Sequence, residues 1–361
     1  MSNTYGRNLR VEIFGESHGE AIGIVIDGLP SGVVLDMDKI NSYMIRRKSD
    51  GNLGTKRIEA DTPKILSGFY NGKTTGTPLA VIFENCNQHS GNYNHEVIVP
   101  RPSHADYTAY IKYGGNSDMR GGGHFSGRLT APLVFAGSIC IEILENMGIT
   151  IGAHLYKVGS VNDALFDYVN VNAELLNKLK SKKIPCISDI AEKITSEIMV
   201  ARDKGDSVGG IIECAICGAP IGIGSPFFNS MESSISSIIF SIPAIKGIEF
   251  GAGFKFAEMS GSEANDQYCY REGKVVTTTN NNAGILGGIT NGMPIIFRSV
   301  VKPTPSIFIE QNSVNLKSGN NEKLSICGRH DPCIALRAVP VIEAATAIAV
   351  LDMIMDNSVI K

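Results

Sequence analysis

Short apolar strands alternate with amphipathic helices along this chain, and the alternation restricts it to folds that mix α and β structure. Runs of β-branched or apolar residues bounded by glycine, proline or asparagine predict strands over residues 9–14, 21–26, 79–83 and 96–99. Helical patterns predict helices over residues 36–48, 127–147, 173–182, 187–202, 231–240 and 340–355. Asp36 suits the N-cap of the first helix, and Pro132 places a start or a kink early in the second. The fold class that follows is α+β.

No linker, charged tail or low-complexity stretch divides the 361 residues, so we expect residues 1–361 to form a single large domain. With 43% hydrophobic and 19% charged residues, the chain has ample material for a packed core. Residues 26–32 and 216–222 share a glycine–x–proline–x–glycine turn, each between a predicted strand and a predicted helix. Two related halves would show such an echo, although a match this short arises by chance about as easily.

The charge balance argues against a general nucleic-acid binder, because the formal net charge is -3 and a basic excess is missing. Any anion site must therefore be a local cluster of cations. The N-terminus lacks the apolar core of a signal peptide, and the two longest apolar stretches, 129–141 and 344–351, end at acidic residues. We therefore predict a cytoplasmic protein that does not enter membranes.

The 8 cysteines are spread along the chain without the dense spacing of a secreted disulfide framework. Cys214 and Cys217 form the one pair with a spacing that suits a metal or a redox centre. They lie in a predicted strand, where residues three apart point to opposite faces, and no second pair completes a zinc site. The pattern favours core packing over a metal site.

Four short segments combine glycine or proline with histidine or arginine, at residues 15–19, 101–106, 120–128 and 328–332. Four of the 7 histidines fall inside them. Each segment sets a proton carrier or an anion clamp beside backbone of unusual shape, an arrangement typical of active sites. Histidines that serve only packing would be scattered more evenly.

The first segment, Gly15-Glu16-Ser17-His18-Gly19, also fits the G-x-S-x-G turn of serine hydrolases. That turn needs several strands before it and a helix after it, whereas here about one strand precedes it and another strand follows. The pattern favours a tight turn that holds Ser17 as a hydrogen-bond donor and His18 as a proton donor facing an anion. A hydrolase is the weaker alternative.

The third segment contains three consecutive glycines, which let backbone approach a ligand closely, and Ser126 or Gly127 then begins a helix whose first amides favour anions. Arg120 and Arg128 add forked donors, so the segment suits an anion or a planar cofactor better than a flexible surface loop. No Gly-Lys-Ser/Thr follows, so it is not an ATP-binding Walker A loop. Weaker signals lie at residues 46–48, 284–288 and 302–306.

Together and in this order, the segments resemble the chorismate synthase family from about Gly6 to Met355, including Arg337-Ala338-Val339-Pro340 after the fourth segment. The resemblance implies a β-α-β sandwich, a homotetramer, and conversion of 5-enolpyruvylshikimate 3-phosphate to chorismate and phosphate by a 1,4-anti elimination. It also implies a need for reduced FMN, although the reaction has no net redox change. No G-x-G-x-x-G fingerprint for NADPH follows a strand, so we expect an external flavin reductase or reductant.

The resemblance further implies roles for single residues. His18 would protonate the departing phosphate, His104 would stand near the flavin N1 and C2 carbonyl, and Asp331 would assist proton removal through flavin N5. The residues implied to bind the substrate are Ser17, Arg46, Arg47, Arg101 and Arg128. The residues implied to bind FMN are His124, Phe125, Ser126, Gly287, Lys302, Pro303, Thr304, Pro305, Ser306 and Arg329.

Three departures from the family pattern affect these assignments. His124-Phe125-Ser126 stands where many members have Arg-Ser-Ser, so a cationic flavin contact is replaced by imidazole or lost. Pro243-Ala244 stands where Asn-Ala is frequent. A second substrate arginine has no clear counterpart around Leu53, which leaves Lys56 or Arg57 as substitutes.

Overall fold

The computed structural model describes residues 3–49, 51, 53–54, 60–86, 99–326 and 330–356, and it confirms the predicted α+β class. The strands are β1 Thr4–Tyr5, β2 Arg10–Gly15, β3 Ala21–Asp27, β4 Lys64–Ser67, β5 Phe69–Tyr70, β6 Lys73–Thr74, β7 Leu79–Glu84, β8 Thr150–Val158, β9 Val161–Asn162, β10 Gly210–Cys217, β11 Ile245–Phe250, β12 Tyr268–Arg271, β13 Lys274–Thr277, β14 Ile285–Leu286, β15 Ile289–Thr290, β16 Ile295–Val301, β17 Gln311–Val314 and β18 Asn321–Leu324. The helices are α1 Met37–Arg47, α2 Asp106–Tyr113, α3 Thr130–Asn146, α4 Ala173–Lys180, α5 Ala191–Asp203, α6 Met231–Ser241, α7 Gly261–Ala264 and α8 Ala335–Asp356.

Three of the four predicted strands correspond to β2, β3 and β7. Residues 96–98 of the fourth lie outside the described residues. Asp36 caps α1 as predicted, because its side chain accepts hydrogen bonds from the amides of Asp38 and Lys39 at 3.0 Å.

Two five-stranded antiparallel sheets place their third, fourth and fifth strands along the chain alike, and differ in which of the first two strands lies at the edge. The first has the strand order β1-β2-β3-β7-β4, and the second, taken from the matching edge, has the order β9-β8-β10-β16-β11. In each half a helix follows the third strand of this order and a longer helix follows the fourth: α1 and α3 in the first half, α6 and α8 in the second. This partial correspondence is what two related halves would show, one of the two explanations that the sequence echo left open.

The sequence echo lies at equivalent turns of the two halves. Gly28 follows β3 with φ +93°, and Gly218 follows β10 with φ +83°. A Cβ at Gly28 would lie 1.9 Å from the carbonyl oxygen of Asn8, and one at Gly218 would lie 2.2 Å from that of Gly148. Because both turns press left-handed backbone against a carbonyl, both require glycine at the same point.

The long helices α3 and α8 lie between the sheets. α3 packs against strands of the first sheet, α8 packs against β8 and β10 of the second, and the two helices pack on each other. Their crossing is close, since a Cβ at Gly137 would lie 2.3 Å from that of Ala344. One apolar cluster runs through the helices and both sheets. The layer order is therefore sheet, helices, sheet, which is the predicted β-α-β sandwich.

The apolar stretches in the sequence end at Glu142 and Asp352, but α3 and α8 continue beyond these acidic residues. The segments Gly127–Asn146 and Ala335–Asp356 are long and apolar enough to cross a membrane by length and composition. However, 83% and 89% of their most apolar windows are buried inside the fold, as in core helices of a soluble protein.

Two predicted helix starts were wrong. The helix predicted from residue 187 begins at Ala191, because the carboxylate of Asp163 accepts hydrogen bonds from the amides of Ile187 and Ser188 at 2.5 and 2.9 Å and holds them outside the helix. The last helix begins at Ala335, so Pro340 lies inside it rather than at its start. Nearly complete burial of α8 offsets the backbone hydrogen bond that the proline removes.

Three ionisable side chains meet inside the second sheet. Nε2 of His154 on β8 lies 3.0 Å from Oε2 of Glu213 on β10, and Nδ1 lies 3.3 Å from Oδ2 of Asp163. All three side chains are completely buried. Burial alone would lower the pKa of His154, but its interactions with Asp163 and Glu213 outweigh burial and raise the pKa above its ordinary value. The two carboxylates therefore favour the protonated ring, which then lies as a cation between them.

Replacing His154 by alanine is expected to lower the free energy of unfolding by about 3 kcal/mol, because two buried carboxylates lose the cation that lies between them. Since the pKa of the folded ring is raised, its stabilisation is complete below the unfolded pKa of about 6.5 and is lost as pH rises through the folded value. The deficit of the variant should therefore be larger at pH 6 than at pH 10. Thermal unfolding midpoints at one protein concentration measure this, and an equal deficit at both pH values would contradict the charged ring.

Candidate active site

A large cleft of about 1140 Å³ opens where β1, β2, the end of α1, residues 101–105, residues 121–130, β11 and the first turns of α8 meet. The predicted site residues that line it are His18, Arg47, Arg101, His104, His124, Phe125, Ser126, Arg128, Lys302, Thr304, Pro305, Ser306 and Asp331. The fold therefore gathers residues from all four motif segments around one cavity.

Gly121 and Gly122 separate the two histidines predicted to be catalytic. Both glycines have left-handed backbone, with φ +59° and +89°. A Cβ at Gly121 would lie 2.0 Å from Cε1 of His18, and a Cβ at Gly122 would lie 3.3 Å from Cε1 of His104. Their backbone approaches the imidazoles, and the close approach to a ligand that the sequence predicted stays a prediction. The glycine run thus sets the spacing of the two rings.

The turn at residues 15–19 joins β2 to β3, which are antiparallel neighbours in the first sheet. A nucleophile elbow joins a strand to a helix, so the hydrolase interpretation does not fit this turn. Ser17 is completely buried, and its amide donates to the carbonyl oxygen of Gly123 at 3.1 Å. Ser17 therefore supports the glycine run from behind, whereas His18, buried except for 6% of its surface, lines the cleft.

Asp106 orients His104. Its Oδ1 lies 2.9 Å from Nδ1 of His104, and Nη2 of Arg101 lies 3.1 Å from the same nitrogen. The shorter contact, to a carboxylate that can only accept, favours a proton on Nδ1 and leaves Nε2 beside Gly122. Nε and Nη2 of Arg101 each donate to Asp106 at 2.7 Å. Burial opposes ionisation of Asp106, but hydrogen bonds from Arg101 and His104 outweigh it and hold its pKa well below the ordinary value. Two nitrogens of Arg101 are thus bound to a carboxylate of the protein itself.

Two buried arginines meet at one carboxylate on the wall of the cleft. Nη2 of Arg47 donates to Oδ2 of Asp61 at 2.5 Å, and Nη1 of Arg128 donates to Oδ1. Nε of Arg128 also donates to Oδ1 of Asn85 at 3.0 Å. Sequence reasoning missed Asp61, which lies 14 residues from Arg47 in a stretch without a motif.

Arg337 is a second residue that sequence reasoning missed as a site residue. It lines the cleft from the first turn of α8, donates from Nη1 to Oδ2 of Asp331 at 2.6 Å, and donates from Nε to the carbonyl oxygen of Arg47 at 3.0 Å. The sequence signal that could have identified it is its position six residues after Asp331, in the stretch that follows the fourth segment. Arg337 thereby joins the start of α8 to the end of α1 and adds a cation to the pocket.

The opposite wall is partly apolar and partly cationic. The Phe125 ring is 37% exposed toward the cleft and lies 6.4 Å from the Tyr113 ring. Nζ of Lys302 donates to the carbonyl oxygen of Ser103 at 2.6 Å, and burial together with the nearby Lys246 lowers its pKa. Such a wall suits a planar ring system that carries an anionic group.

Other predicted residues lie elsewhere. Arg46 does not line the cleft, and its Nη1 and Nη2 donate to Glu343 on α8 at 2.5 and 3.0 Å. Gly287 lies in the turn between β14 and β15, and neither it nor Pro303 lines the cleft. Arg329, Lys56 and Arg57 lie outside the described residues. The roles predicted for these residues stay predictions.

Pro243 and Ala244, the departure noted in the sequence, do line the cleft. Leu53 is buried, with 7% of its surface exposed. Arg120 pairs with Asp118 at 2.7 Å and does not line the cleft.

The cysteine pair lies on β10, as predicted. Cys214 is completely buried, and burial raises the pKa of its thiol well above the ordinary value. Burial raises the pKa of Cys217 to about 11. Within the part of the chain that the structure describes, no group of three or more histidine, cysteine, aspartate or glutamate side chains is arranged to hold a metal ion.

Comparison with known proteins gives consistent findings. A family model described as chorismate synthase matches residues 9–355. Chorismate synthase from Pyrococcus abyssi is 46% identical over 352 residues, covering 97% of both chains. Chorismate synthase from Chitinophaga pinensis is 46% identical over 353 residues, covering 98% of this chain and 96% of the relative. A crystal structure of chorismate synthase matches with a TM-score of 0.76 at 28% identity, covering 97% of this chain and 93% of that one.

Proposed function

The chain belongs to the chorismate synthase family, a family of carbon–oxygen lyases, and on that premise we propose that it converts 5-enolpyruvylshikimate 3-phosphate to chorismate and phosphate with reduced FMN bound. The reaction belongs to the shikimate pathway of aromatic amino-acid biosynthesis. One observation carries the proposal: His18 and His104 flank glycine backbone in a cleft that also contains Arg47, Arg128 and Arg337.

The charges of the cleft suit this substrate, which carries a phosphate and two carboxylates. Within the described residues, Nε of Arg47 and Nη2 of Arg128 are buried without a hydrogen-bond partner. A buried guanidinium donor without an acceptor is unfavourable, so an anionic ligand that accepts from both would be strongly favoured. The chain's net charge of -3 does not oppose this, because the cations are concentrated locally.

His18 is the residue to which we assign protonation of the departing phosphate. Imidazole has an ordinary pKa of about 6.5, close to what a general acid needs at neutral pH. Its ring is held by the backbone of Gly121, which fixes where the proton is delivered. Asp331, held by Arg337, is the carboxylate to which we assign help with removal of the substrate proton.

The cleft has the room and the donors for FMN as well. Pockets for single drug-sized ligands measure about 300–1,000 Å³, so the cleft, at about 1140 Å³, lies above that range. Phe125 and His124 would lie against the ring system, and Lys302, Thr304 and Ser306 would hold the phosphate. Thr304 Oγ1 fits this, because it is buried without a partner among the described residues. Reduced FMN supplies electron density for the difficult elimination, while the protein supplies orientation and electrostatics.

Lys302→Ala is expected to weaken FMN binding about tenfold or more, because a charge-assisted hydrogen bond to the phosphate contributes about 1.5–3 kcal/mol. Quenching of flavin fluorescence on titration with protein measures the change. Riboflavin, which lacks the phosphate, is the matched control ligand and should bind wild type and variant about equally. Equal loss of FMN and riboflavin binding would contradict the phosphate contact.

We also propose a homotetramer in the cytoplasm that receives reduced flavin from an external reductase. Support for assembly comes from large exposed aromatic side chains, among them Phe227, Phe228 and Phe254 at 85%, 93% and 85% exposure. Phe227 and Phe228 are neighbours with ring centroids 6.3 Å apart, and contiguous exposed apolar groups of this kind mark interaction surfaces. Light scattering should give a mass four times 38.7 kDa, and a monomer would contradict the proposal.

Anaerobic turnover tests the proposed reaction. The purified chain with dithionite-reduced FMN and 5-enolpyruvylshikimate 3-phosphate should release phosphate and form chorismate in equal amounts, measured by phosphate assay and absorbance. Oxidised FMN alone should support no turnover, and binding of FMN without product would identify a non-catalytic flavin binder. Turnover driven by NADPH without added reductase would overturn the external reductant, and labelling of Ser17 by a fluorophosphonate would support a hydrolase instead.

A further inference from the structure

We propose that Asp61 is a positioning residue that locks Arg47 and Arg128 into one clamp and turns the remaining edge of each guanidinium toward the anions of the substrate. The inference rests on the proposed function, since it names what prepares the same site for its polyanionic substrate.

The contacts around Asp61 use specific edges of the two guanidinium groups. Asp61 accepts hydrogen bonds from Nη2 of Arg47 and from Nη1 of Arg128. Asn85 accepts one from Nε of Arg128, and Nη1 of Arg47 lies 3.4 Å from the hydroxyl of Thr130. The guanidinium nitrogens with no hydrogen-bond partner among the described residues are Nε of Arg47 and Nη2 of Arg128, and both are buried. One edge of each guanidinium is therefore held by Asp61, and another edge has a nitrogen without a hydrogen-bond acceptor among the described residues.

The charge balance explains why a carboxylate is needed at this position. Arg47, Asp61 and Arg128 are 3%, 3% and 7% exposed, so two cations repel each other where water screens them little. One carboxylate between them lowers the repulsion and still leaves the trio with a net positive charge. Burial opposes ionisation of Asp61, but the charges of Arg47 and Arg128 outweigh it and lower its pKa, so it is ionised at neutral pH.

The backbone at Asp61 has φ +49°, in the left-handed region that aspartate, asparagine and glycine adopt most readily. Asparagine therefore removes the charge with almost no change in shape, and glycine removes the side chain without backbone strain. These two substitutions separate the electrostatic role of Asp61 from a role in folding.

Asp61→Asn is expected to raise KM for 5-enolpyruvylshikimate 3-phosphate about tenfold or more and to change kcat less than about threefold. Calorimetry should show a matching loss of substrate affinity for the protein without FMN. Asp27→Asn is the matched control, because Asp27 pairs with Arg10 at 3.4 Å on the surface and should leave both parameters unchanged. An unchanged KM, or tighter binding that reveals Asp61 as a competitor of the substrate, would overturn the inference.

Asp61→Gly provides a second test through chemical rescue. Added formate should lower the raised KM of this variant by supplying a carboxylate to Arg47 and Arg128, and it should not lower the KM of wild type. Failure of formate to rescue a folded variant counts against the inference. If the wild-type protein binds the substrate but does not convert it, the proposed function is overturned and the inference on Asp61 is not. In that case, loss of substrate binding in Asp61→Asn would still support the role of Asp61.

Discussion

Replacing Gly121 by alanine is expected to lower kcat at least about a hundredfold. The added methyl would lie 2.0 Å from Cε1 and 2.2 Å from Nδ1 of His18, and the backbone there has φ +59°. His18 is almost completely buried, so the ring must shift to remove the clash. A shift of about 1 Å at a reacting group costs on the order of a hundredfold in rate. Anaerobic turnover with reduced FMN measures the loss.

Gly148→Ala is the matched control for the Gly121 variant. Gly148 has φ +80°, and among the described residues nothing lies within 4 Å of an added Cβ. Alanine there should lower stability by about 1–2 kcal/mol through left-handed strain and leave kcat unchanged. Near-normal turnover by Gly121→Ala would show that the glycine run does not set the position of His18.

Loss of the His18 imidazole is expected to lower kcat by about 10²–10⁴-fold, the range that general acids contribute. Substrate affinity should change little, because the anion-binding arginines stay in place. Added imidazole should restore part of the rate of His18→Ala if proton donation is the function that was lost. His104→Ala is expected to lose at least about tenfold and to show no such rescue by proton donation.

A rate for His18→Ala within threefold of wild type would remove that residue from the acid role. The same result for His104→Ala would remove His104 from its place beside the flavin. His18 contacts Gly121 and His104 contacts Gly122, so either alanine variant could lose activity because the glycine run is displaced. A lowered thermal unfolding midpoint of the variant identifies such a structural loss.

Much of the fold could be predicted from local patterns. The strands β2, β3 and β7 and the capped start of α1 follow from apolar runs and turn residues, because these signals are local. The starts of α5 and α8 could not be predicted from such local signals. Asp163 withdraws the amides of Ile187 and Ser188 from a helix through hydrogen bonds formed across 24 and 25 residues, and tertiary burial carries α8 through Pro340.

The candidate site shows the same division. The motif histidines were visible, because glycine and proline around them mark unusual backbone. The fates of Arg46 and Arg47 were not visible, since adjacent residues on a helix point in different directions and only packing decides which meets Glu343 and which meets Asp61. Asp61 lacks a sequence signal because its role depends on where two distant arginines arrive.

The most direct test of the central claim, that His18 and His104 serve two ligands held in one cleft, is a crystal structure of the chain with FMN and 5-enolpyruvylshikimate 3-phosphate. We predict the substrate phosphate within about 3 Å of the His18 ring, the isoalloxazine beside His104 and Phe125, and substrate anions on Arg47 and Arg128. Ligands bound outside this cleft, or a substrate phosphate remote from His18, would contradict it.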